Sequence, residues 1–175
     1  MKSKSLILVI TAATAAFALN GCKKSSETAS GSGPSASAPA AATREVPKEG
    51  RAVEISANDA MKFDVTEIRV KAGEALAVTL KNTGTMPKFS MGHNWVLLEN
   101  SVKLTDFTEA APQAAKTDYI PASYSDKIIA HTKLLGPGES DTVLFYAPKQ
   151  VGRYNFLCSF PGHFQVGMKG VLIVD

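Results

Sequence analysis

Three residue types that bind soft metals lie close together near the C-terminus. Cys158 ends an apolar segment, His163 follows five residues later in a loop made tight by Pro161-Gly162, and Met168 comes five residues after that. A thiolate, an imidazole and a thioether can therefore surround one point. Soft sulfur with imidazole suits copper, and a trigonal Cys-His-His set with a weak axial Met is typical of blue-copper electron-transfer sites.

A second imidazole has to come from elsewhere in the chain, where the only other histidines are His93 and His131. His93 begins a predicted strand, so it can lie at the same sheet end as the 158–168 loop. His131 lies inside an apolar segment with no sulfur residue nearby. The pattern favours His93 as the second imidazole and His131 as a non-ligand.

Each of these residues also has an ordinary structural explanation. A lone Cys is most often a buried core thiol, a Met beside a strand is most often core filler, and a His in a Pro-Gly loop can be merely exposed. The order and spacing of Cys158, His163 and Met168, considered together, favour a metal site over three separate structural explanations.

Three other functions use some of the same residues. A Cys–His hydrolase is disfavoured, because the chain has no glycine-rich oxyanion loop and Cys158 ends a strand instead of opening a helix. A copper-binding surface lipoprotein for metal handling or defence against oxidants could use identical ligands. An adhesin-like surface protein with an incidental metal is the third alternative.

Strands are the elements predicted to position these residues. Short apolar or alternating segments recur at 53–55, 63–70, 76–80, 95–98, 128–130, 143–146, 154–157 and 171–174, with Gly and Pro turns between them. Seven or eight short strands of this kind predict an all-β sandwich. Residues 101–120 differ, because Leu104, Phe107, Ala111 and Ala114 recur at roughly helical spacing, which predicts a short helical insertion.

The first fifty residues have a different composition. Residues 1–21 have a basic start and an apolar stretch from 6 to 19, which is typical of a secretory signal. This stretch ends in Leu19-Asn20-Gly21-Cys22, which resembles the lipobox of bacterial lipoproteins; an ordinary signal with an incidental Cys is the alternative. Residues 22–50 are rich in Ala, Ser and Pro and predict a disordered tether, so the folded domain is expected at 51–175.

Composition excludes several classes of protein. The net charge is only +3 and no basic stripe with interleaved aromatics is visible, so nucleic-acid binding has no support. Two cysteines are too few for a disulfide scaffold or a Cys-rich zinc module. After the N-terminal segment no apolar run reaches the 18 residues typical of a membrane span.

Several motifs resemble azurins. They are Met91-Gly92-His93-Asn94-Trp95, the IAHTKL stretch at 129–134, and Cys158-Ser159-Phe160-Pro161-Gly162-His163 followed by Met168-Lys169-Gly170. The resemblance covers about residues 51–175, and the signal, lipobox and tether resemble those of lipid-modified azurins from Gram-negative bacteria. It implies a Greek-key cupredoxin sandwich of about eight strands that binds one type 1 copper ion.

The same resemblance implies a role for individual residues. Copper would be bound by His93, Cys158 and His163, with Met168 as axial ligand and the Gly92 carbonyl as a weak opposite contact. Asn94 would brace the ligand loop by hydrogen bonding, with Phe160 also packed beside the ligands. A partly exposed His163 would be the electron port, and Met86 and Phe164 are expected to form an apolar docking patch around it.

As a family member the protein would be an electron carrier and not an enzyme. The expected partners are redox proteins such as c-type cytochromes, nitrite reductase or a peroxidase, with the carrier itself monomeric. Lipid on Cys22 would hold it in the cell envelope of a Gram-negative bacterium, at the outer membrane, where it would face the periplasm or the cell surface.

Three departures from azurins are visible. Four residues separate His163 from Met168 where azurins have three, which affects the axial geometry. The disulfide that azurins carry near the N-terminus is absent. Asn82 occupies the position of the buried, pH-active histidine of azurins, so that titration is expected to be missing.

Overall fold

The computed structural model describes residues 44–175. The predicted signal segment, Cys22 and most of the predicted tether lie outside the described residues. Eight strands form two sheets, which confirms the predicted sandwich. The strands are β1 (Arg51–Ala57), β2 (Glu67–Val70), β3 (Ala75–Asn82), β4 (Val96–Leu98), β5 (Ile128–His131), β6 (Ser140–Tyr146), β7 (Gly152–Leu157) and β8 (Lys169–Val174).

The two sheets differ in size. The smaller has the order β1-β3-β6 and the larger the order β2-β8-β7-β4-β5. β1 pairs with β3 and β2 pairs with β8 in parallel, whereas the other pairs are antiparallel. Burial alternates residue by residue along β3, as expected for a strand with one face on the core. The core between the sheets is apolar and includes Cys158 and Met168.

β4 is buried on both faces. Leu97 packs in the core between the sheets, while Val96 and Leu98 pack on the opposite side with Phe107. Successive side chains of a strand point to opposite faces, so both sets are covered only because the helical insertion lies over this sheet. This double burial accounts for the uninterrupted apolar run at 95–98.

The predicted helical insertion is present. It contains α2 (Leu104–Ala110) and two 3₁₀ helices, Ala111–Thr117 and Ala122–Tyr124. A further short helix, α1 (Lys88–Met91), precedes the His93 segment and was not predicted. Among residues 44–175, no helix has the length and apolar character needed to cross a bilayer.

Arg44, the first described residue, already contacts the domain and lies seven residues before the predicted boundary. Its guanidinium donates to the Glu99 carboxylate over 2.7 Å and to the Asp126 carbonyl over 3.1 Å. Pro47 is buried. Glu99 follows β4 and Asp126 precedes β5, so the chain enters the domain at the end of these strands that is remote from His93.

Candidate metal centre

Two antiparallel neighbours bring the predicted ligands to one end of the larger sheet. Val96 at the start of β4 pairs with Leu157 at the end of β7, so the residues just before β4 face those just after β7. His93 is fixed by two backbone hydrogen bonds with Leu135, of 3.1 and 2.8 Å. The Cys158 N–H donates to the Met168 carbonyl over 3.1 Å, which closes the loop of residues 158–168, here called the metal loop.

Three predicted ligands form one buried cluster. The donor atoms of His93, Cys158 and His163 all lie within 4.8 Å of one another. Cys158 Sγ is 3.4 Å from His163 Nδ1, and the two imidazole ring centroids are 5.0 Å apart. His131 lies outside this cluster, where it is exposed and its Nδ1 is 3.1 Å from the Thr132 carbonyl.

The unsatisfied nitrogens of His93 provide a test of whether a metal fits. The side chain is fully buried, and neither Nδ1 nor Nε2 has a hydrogen-bond partner. A buried polar group without a partner is costly, so an ion bound to one nitrogen would remove part of that cost. One thiolate and two imidazoles form a soft donor set that suits copper.

Burial keeps all three donors uncharged in the absence of metal. It lowers the pKa of His163 to about 4, with a further contribution from His93. It also lowers the pKa of His93, although the nearby Asn58 carbonyl, which lies outside hydrogen-bond geometry, and the Asp59 charge oppose this. Burial raises the pKa of the Cys158 thiol to about 12, and smaller contributions from the backbone N–H groups of Asn94 and Phe160 oppose this rise. Metal binding at neutral pH therefore releases the thiol proton.

The metal-free protein is expected to lose stability on acidification. Between about pH 6.5 and pH 4 an unfolded histidine takes up a proton, whereas folded His163 does not, so the unfolded state is favoured as the pH falls. The free energy of unfolding should drop by about 2–3 kcal/mol over this window. Denaturant titrations of the metal-free protein at several pH values measure it. His163→Gln should flatten the profile, and a parent protein whose stability does not change between these pH values would contradict the expectation.

The Met168 backbone lies beside Cys158 and His163 despite the longer spacing. Its N–H donates to the His163 carbonyl over 2.9 Å and its carbonyl accepts from Cys158, while its side chain is fully buried. Gly167 just before it has a φ of +93°, a left-handed conformation that most side chains avoid. The metal loop therefore accommodates the fourth residue in a turn and leaves the Met168 backbone against Cys158 and His163.

Only glycine fits at position 92 without displacing neighbouring atoms. A Cβ at this position would lie 2.7 Å from the Lys88 carbonyl oxygen and 2.9 Å from Leu134 Cγ. α1 and the segment that precedes β6 thus press on the backbone next to His93. Any larger residue would displace the peptide whose carbonyl is the predicted weak copper contact.

Asn94 links the His93 segment to the metal loop. Its Oδ1 accepts the Ser159 N–H over 2.8 Å, and its Nδ2 donates to Ser159 Oγ over 2.7 Å and to the Asp118 carbonyl over 2.9 Å. The oxygen and the nitrogen of the Asn94 amide thus both form hydrogen bonds. Two of the three bonds go to Ser159, which directly follows Cys158. The side chain holds two separate ligand segments in a fixed relation.

Aromatic residues cover His163 more completely than expected. The Phe160 ring lies 4.6 Å from the imidazole, centroid to centroid, and His163 is only 2% exposed. The expected partly exposed port is therefore wrong for the side chain as a whole, because the metal loop folds over it. Phe164 is partly buried against the cluster of Val96 and its neighbours, with Lys169 Nζ 5.0 Å above its ring.

The exposed apolar side chains near this end only partly match the predicted docking patch. Met86 is 41% exposed, as the prediction requires, but Phe89 at 83% and Val166 at 47% are more exposed. Phe89 belongs to α1, which buries none of its residues. A single aromatic residue in a helix of four residues shows no periodic pattern, so the exposure of Phe89 could not be predicted from the sequence.

Comparisons with known proteins agree with this geometry. Residues 50–175 match the family described as copper binding proteins, plastocyanin/azurin family. The azurin of Achromobacter denitrificans is 41% identical over 121 residues, covering 67% of this chain and 80% of that protein. Azurin-1 of Alcaligenes xylosoxydans xylosoxydans is 40% identical over 127 residues, covering 70% and 97%.

Solved structures give the same result. The reduced auracyanin of Roseiflexus castenholzii is 38% identical with a TM-score of 0.64, over 71% of this chain and 96% of that one. The second azurin of Methylomonas sp. strain J is 30% identical with a TM-score of 0.62, over 71% and 97%. The chain therefore belongs to the plastocyanin/azurin family of copper-binding proteins, and the cluster of His93, Cys158 and His163 is the copper site of an azurin-like electron carrier.

Proposed function

We propose that this protein carries single electrons between redox partners while anchored to the cell envelope through Cys22. The observation that carries the redox role is the buried donor cluster with its unpaired His93 nitrogens. Copper, when bound, supplies the one-electron couple. The protein supplies a thiolate, two neutral imidazoles and the exclusion of water.

Rigidity of the donors suits this role. His93 is tied to Leu135, Cys158 to Met168, and both segments to each other through Asn94. A donor set that keeps its place in both oxidation states needs little rearrangement when an electron is transferred. Cys158 would bind copper covalently and give the electron a path into β7. His163 lies beneath the surface of the metal loop and would be the ligand nearest to the partner.

The docking surface would be the apolar rim around the metal loop. Met86 N–H donates to Asp59 over 3.4 Å, and the nearby Lys62 Nζ donates to the Val166 carbonyl. The turn that holds Asp59 and Lys62 therefore joins exposed Met86 to exposed Val166. A redox protein such as a c-type cytochrome, a nitrite reductase or a peroxidase could approach His163 there.

The electron-carrier role is tested by voltammetry and spectroscopy of the copper-loaded protein. We expect an intense blue absorption, the narrow hyperfine splitting of a copper thiolate in EPR, and a reversible one-electron wave. His131→Gln serves as the control and should leave all three unchanged. Copper that binds without colour or a reversible wave would favour the alternative role in copper handling.

Met168 is proposed as the axial ligand, so its replacement should shift the reduction potential. A thioether donates weakly to the electron-poor Cu(II) state, and Leu removes that donation, so Met168→Leu should raise the potential. Gln offers a harder oxygen that favours Cu(II), so Met168→Gln should lower it. Both variants should stay blue, because the Cys158 bond carries the colour. Two unchanged potentials would leave a site of three ligands.

Lipid attachment at Cys22 is the proposed anchor. Cys22→Ala should abolish incorporation of labelled fatty acid, because no other residue of the lipobox offers a thiol. Cys158→Ala, which keeps Cys22, should incorporate label normally and shows that the effect is specific. Label on the Cys22→Ala protein would refute the anchor. Lys23, where an Asp would favour inner-membrane retention, supports the outer membrane, and fractionation tests that part separately.

A further inference from the structure

The exposed large apolar side chains gather at the two ends of the sandwich. Within residues 44–175 there are six of them, and three lie beside the metal centre: Met86, Phe89 and Val166. The other three lie at the opposite end: Val46 at 63%, Tyr146 at 42% and Val151 at 66% exposed. Single exposed apolar residues are common on protein surfaces, but a group of them at one place marks a surface that contacts a partner.

Strand direction places this second group away from the metal centre. β6 ends at Tyr146, and β7 begins at Gly152, directly after Val151. Cys158 follows the last residue of β7, so the full length of this strand separates Val151 from the metal loop. The two apolar groups therefore belong to two different surfaces.

Val46 lies at the same end because the chain enters the domain there. It lines a groove of about 690 Å³ together with Tyr146 and Lys149. The next residue, Pro47, is buried, which fixes the path of the chain beside this groove. The surface, here called the entry end, consists of three segments: 44–49, 71–74 and 146–151.

The turn at 147–151 is held firmly in place. The Gly73 N–H donates to the Pro148 carbonyl over 3.2 Å, which joins two segments of the entry end. The hydroxyl of buried Tyr154 donates to the Gln150 carbonyl over 2.9 Å. The turn therefore presents its apolar and cationic side chains to solvent in a fixed arrangement, and a surface of this kind loses little conformational entropy when it binds.

The cations of the entry end fall into two classes. Arginines at and beside it are paired with acids, as Arg44 is with Glu99 and Arg51 with Glu74. Its lysines are exposed and take part in none of the ion pairs within residues 44–175: Lys48, Lys71 and Lys149. Glu45 and Glu49 are exposed and unpaired as well, so the entry end is amphipathic with a small excess of cations.

This combination of side chains suits the surface of a bilayer. Aliphatic residues bury in the boundary between headgroups and acyl chains, and Tyr has an apolar ring with a polar tip that favours the same depth. Lysines attract anionic headgroups. Only 21 residues, 23–43, separate Cys22 from Arg44. A lipid on Cys22 would therefore keep the entry end at a high local concentration beside the bilayer.

We propose that the entry end is a lipid-contacting surface, which rests on the headgroups of anionic phospholipids. Val46, Tyr146 and Val151 enter the headgroup layer, and Lys71 and Lys149 bind phosphate groups beside them. The proposal rests on the Cys22 anchor of the proposed function. A lipid on Cys22 alone leaves the domain free to move over the length of the connecting segment, whereas this contact holds it against the bilayer.

The experiment uses the lipidated full chain in vesicles of phosphatidylethanolamine and phosphatidylglycerol at a ratio of 3:1. Hydrogen exchange of the segment 146–151 is compared with that of 88–91 beside the metal centre, in vesicles and in neutral detergent. Val151→Ser and Lys149→Glu alter the entry end, and Phe89→Ser and Lys133→Glu make the same changes at the other end. All four side chains are exposed, so the variants should fold, which melting temperatures verify.

We expect exchange at 146–151 to be at least threefold slower in vesicles than in detergent, with no change at 88–91. Val151→Ser and Lys149→Glu should remove most of this slowing, whereas Phe89→Ser and Lys133→Glu should retain it. Vesicles of phosphatidylcholine alone should slow exchange less, because they offer no net negative charge to the lysines.

A parent that floats with the vesicles but exchanges at 146–151 as it does in detergent would refute the lipid contact and leave the anchor intact. Slowing that depends on the number of protein molecules per vesicle would refute it too, because it would show contact with a second copy. A parent that does not float would refute the Cys22 anchor. The same vesicles added to that soluble parent at high lipid concentration then test the surface alone, and unchanged exchange at 146–151 would overturn the proposal.

Discussion

A Cys158→Ser protein should lose the blue colour completely and bind copper far more weakly than the parent. The colour arises from charge transfer between the cysteine sulfur and Cu(II), and serine has neither the soft donor nor an accessible anion in this buried site. Absorption and EPR spectra at matched copper concentrations measure the change, and competition with a chelator measures the affinity.

The substitution changes one atom, so the fold should survive it. The two strands that enter the site, β4 and β7, remain paired without the sulfur. His131→Gln is the matched control for loss of a metal-binding side chain. His131 lies outside the cluster, so this variant should keep the spectra and the copper affinity of the parent. A Cys158→Ser protein that is still intensely blue would show that the thiolate is not the copper ligand.

Copper should increase the free energy of unfolding substantially. A ligand that binds only the folded state adds RT ln(1 + [L]/Kd), which is about 4 kcal/mol at a thousandfold excess over Kd. In the metal-free protein both nitrogens of buried His93 lack hydrogen-bond partners, which lowers the stability of the fold. Copper bound to one of these nitrogens would remove part of that cost. Cys158 is a free thiol and no disulfide lies within residues 44–175, so the metal would be a major cross-link between the His93 segment and the metal loop.

Thermal unfolding of the metal-free and copper-loaded proteins measures this stabilisation, which should raise the melting temperature by roughly 10 °C. Binding of copper to histidines and Cys of the unfolded chain reduces the shift. In the Cys158→Ser protein the same copper concentration should produce a much smaller shift. Equal melting temperatures for the two forms of the parent would refute the prediction.

The donor cluster of His93, Cys158 and His163 was predictable because two of its members are close in sequence. Cys158 and His163 lie five residues apart, and a tight Pro-Gly turn brings them together in any fold that puts strands on both sides. His93 was identified by elimination among three histidines and by its position before a strand. The strands followed from period-two patterns, which depend on local burial and need no knowledge of the partner strand.

Features that depend on distant contacts were not predictable. The contacts of Asp118 with Asn94 and of Tyr119 with Phe160 join residues that are 24 and 41 positions apart, and no local pattern marks a left-handed Tyr. His163 was expected to be partly exposed as the electron port. Its cover comes from the Phe160 ring and the tight return of the loop, which spacing alone does not reveal.

The position of Arg44 decides which end of the domain would be joined to an anchor at Cys22. Arg44 binds Glu99 and Asp126, whereas His93 lies six residues before Glu99 along the β4 segment, or about 20 Å at strand rise. With Cys22 held in a bilayer as proposed, residues 23–43 would span at most roughly 70 Å and would join the sandwich at the end remote from His93. The copper end is then the unattached end, which leaves it accessible to redox partners in the aqueous space beside the membrane.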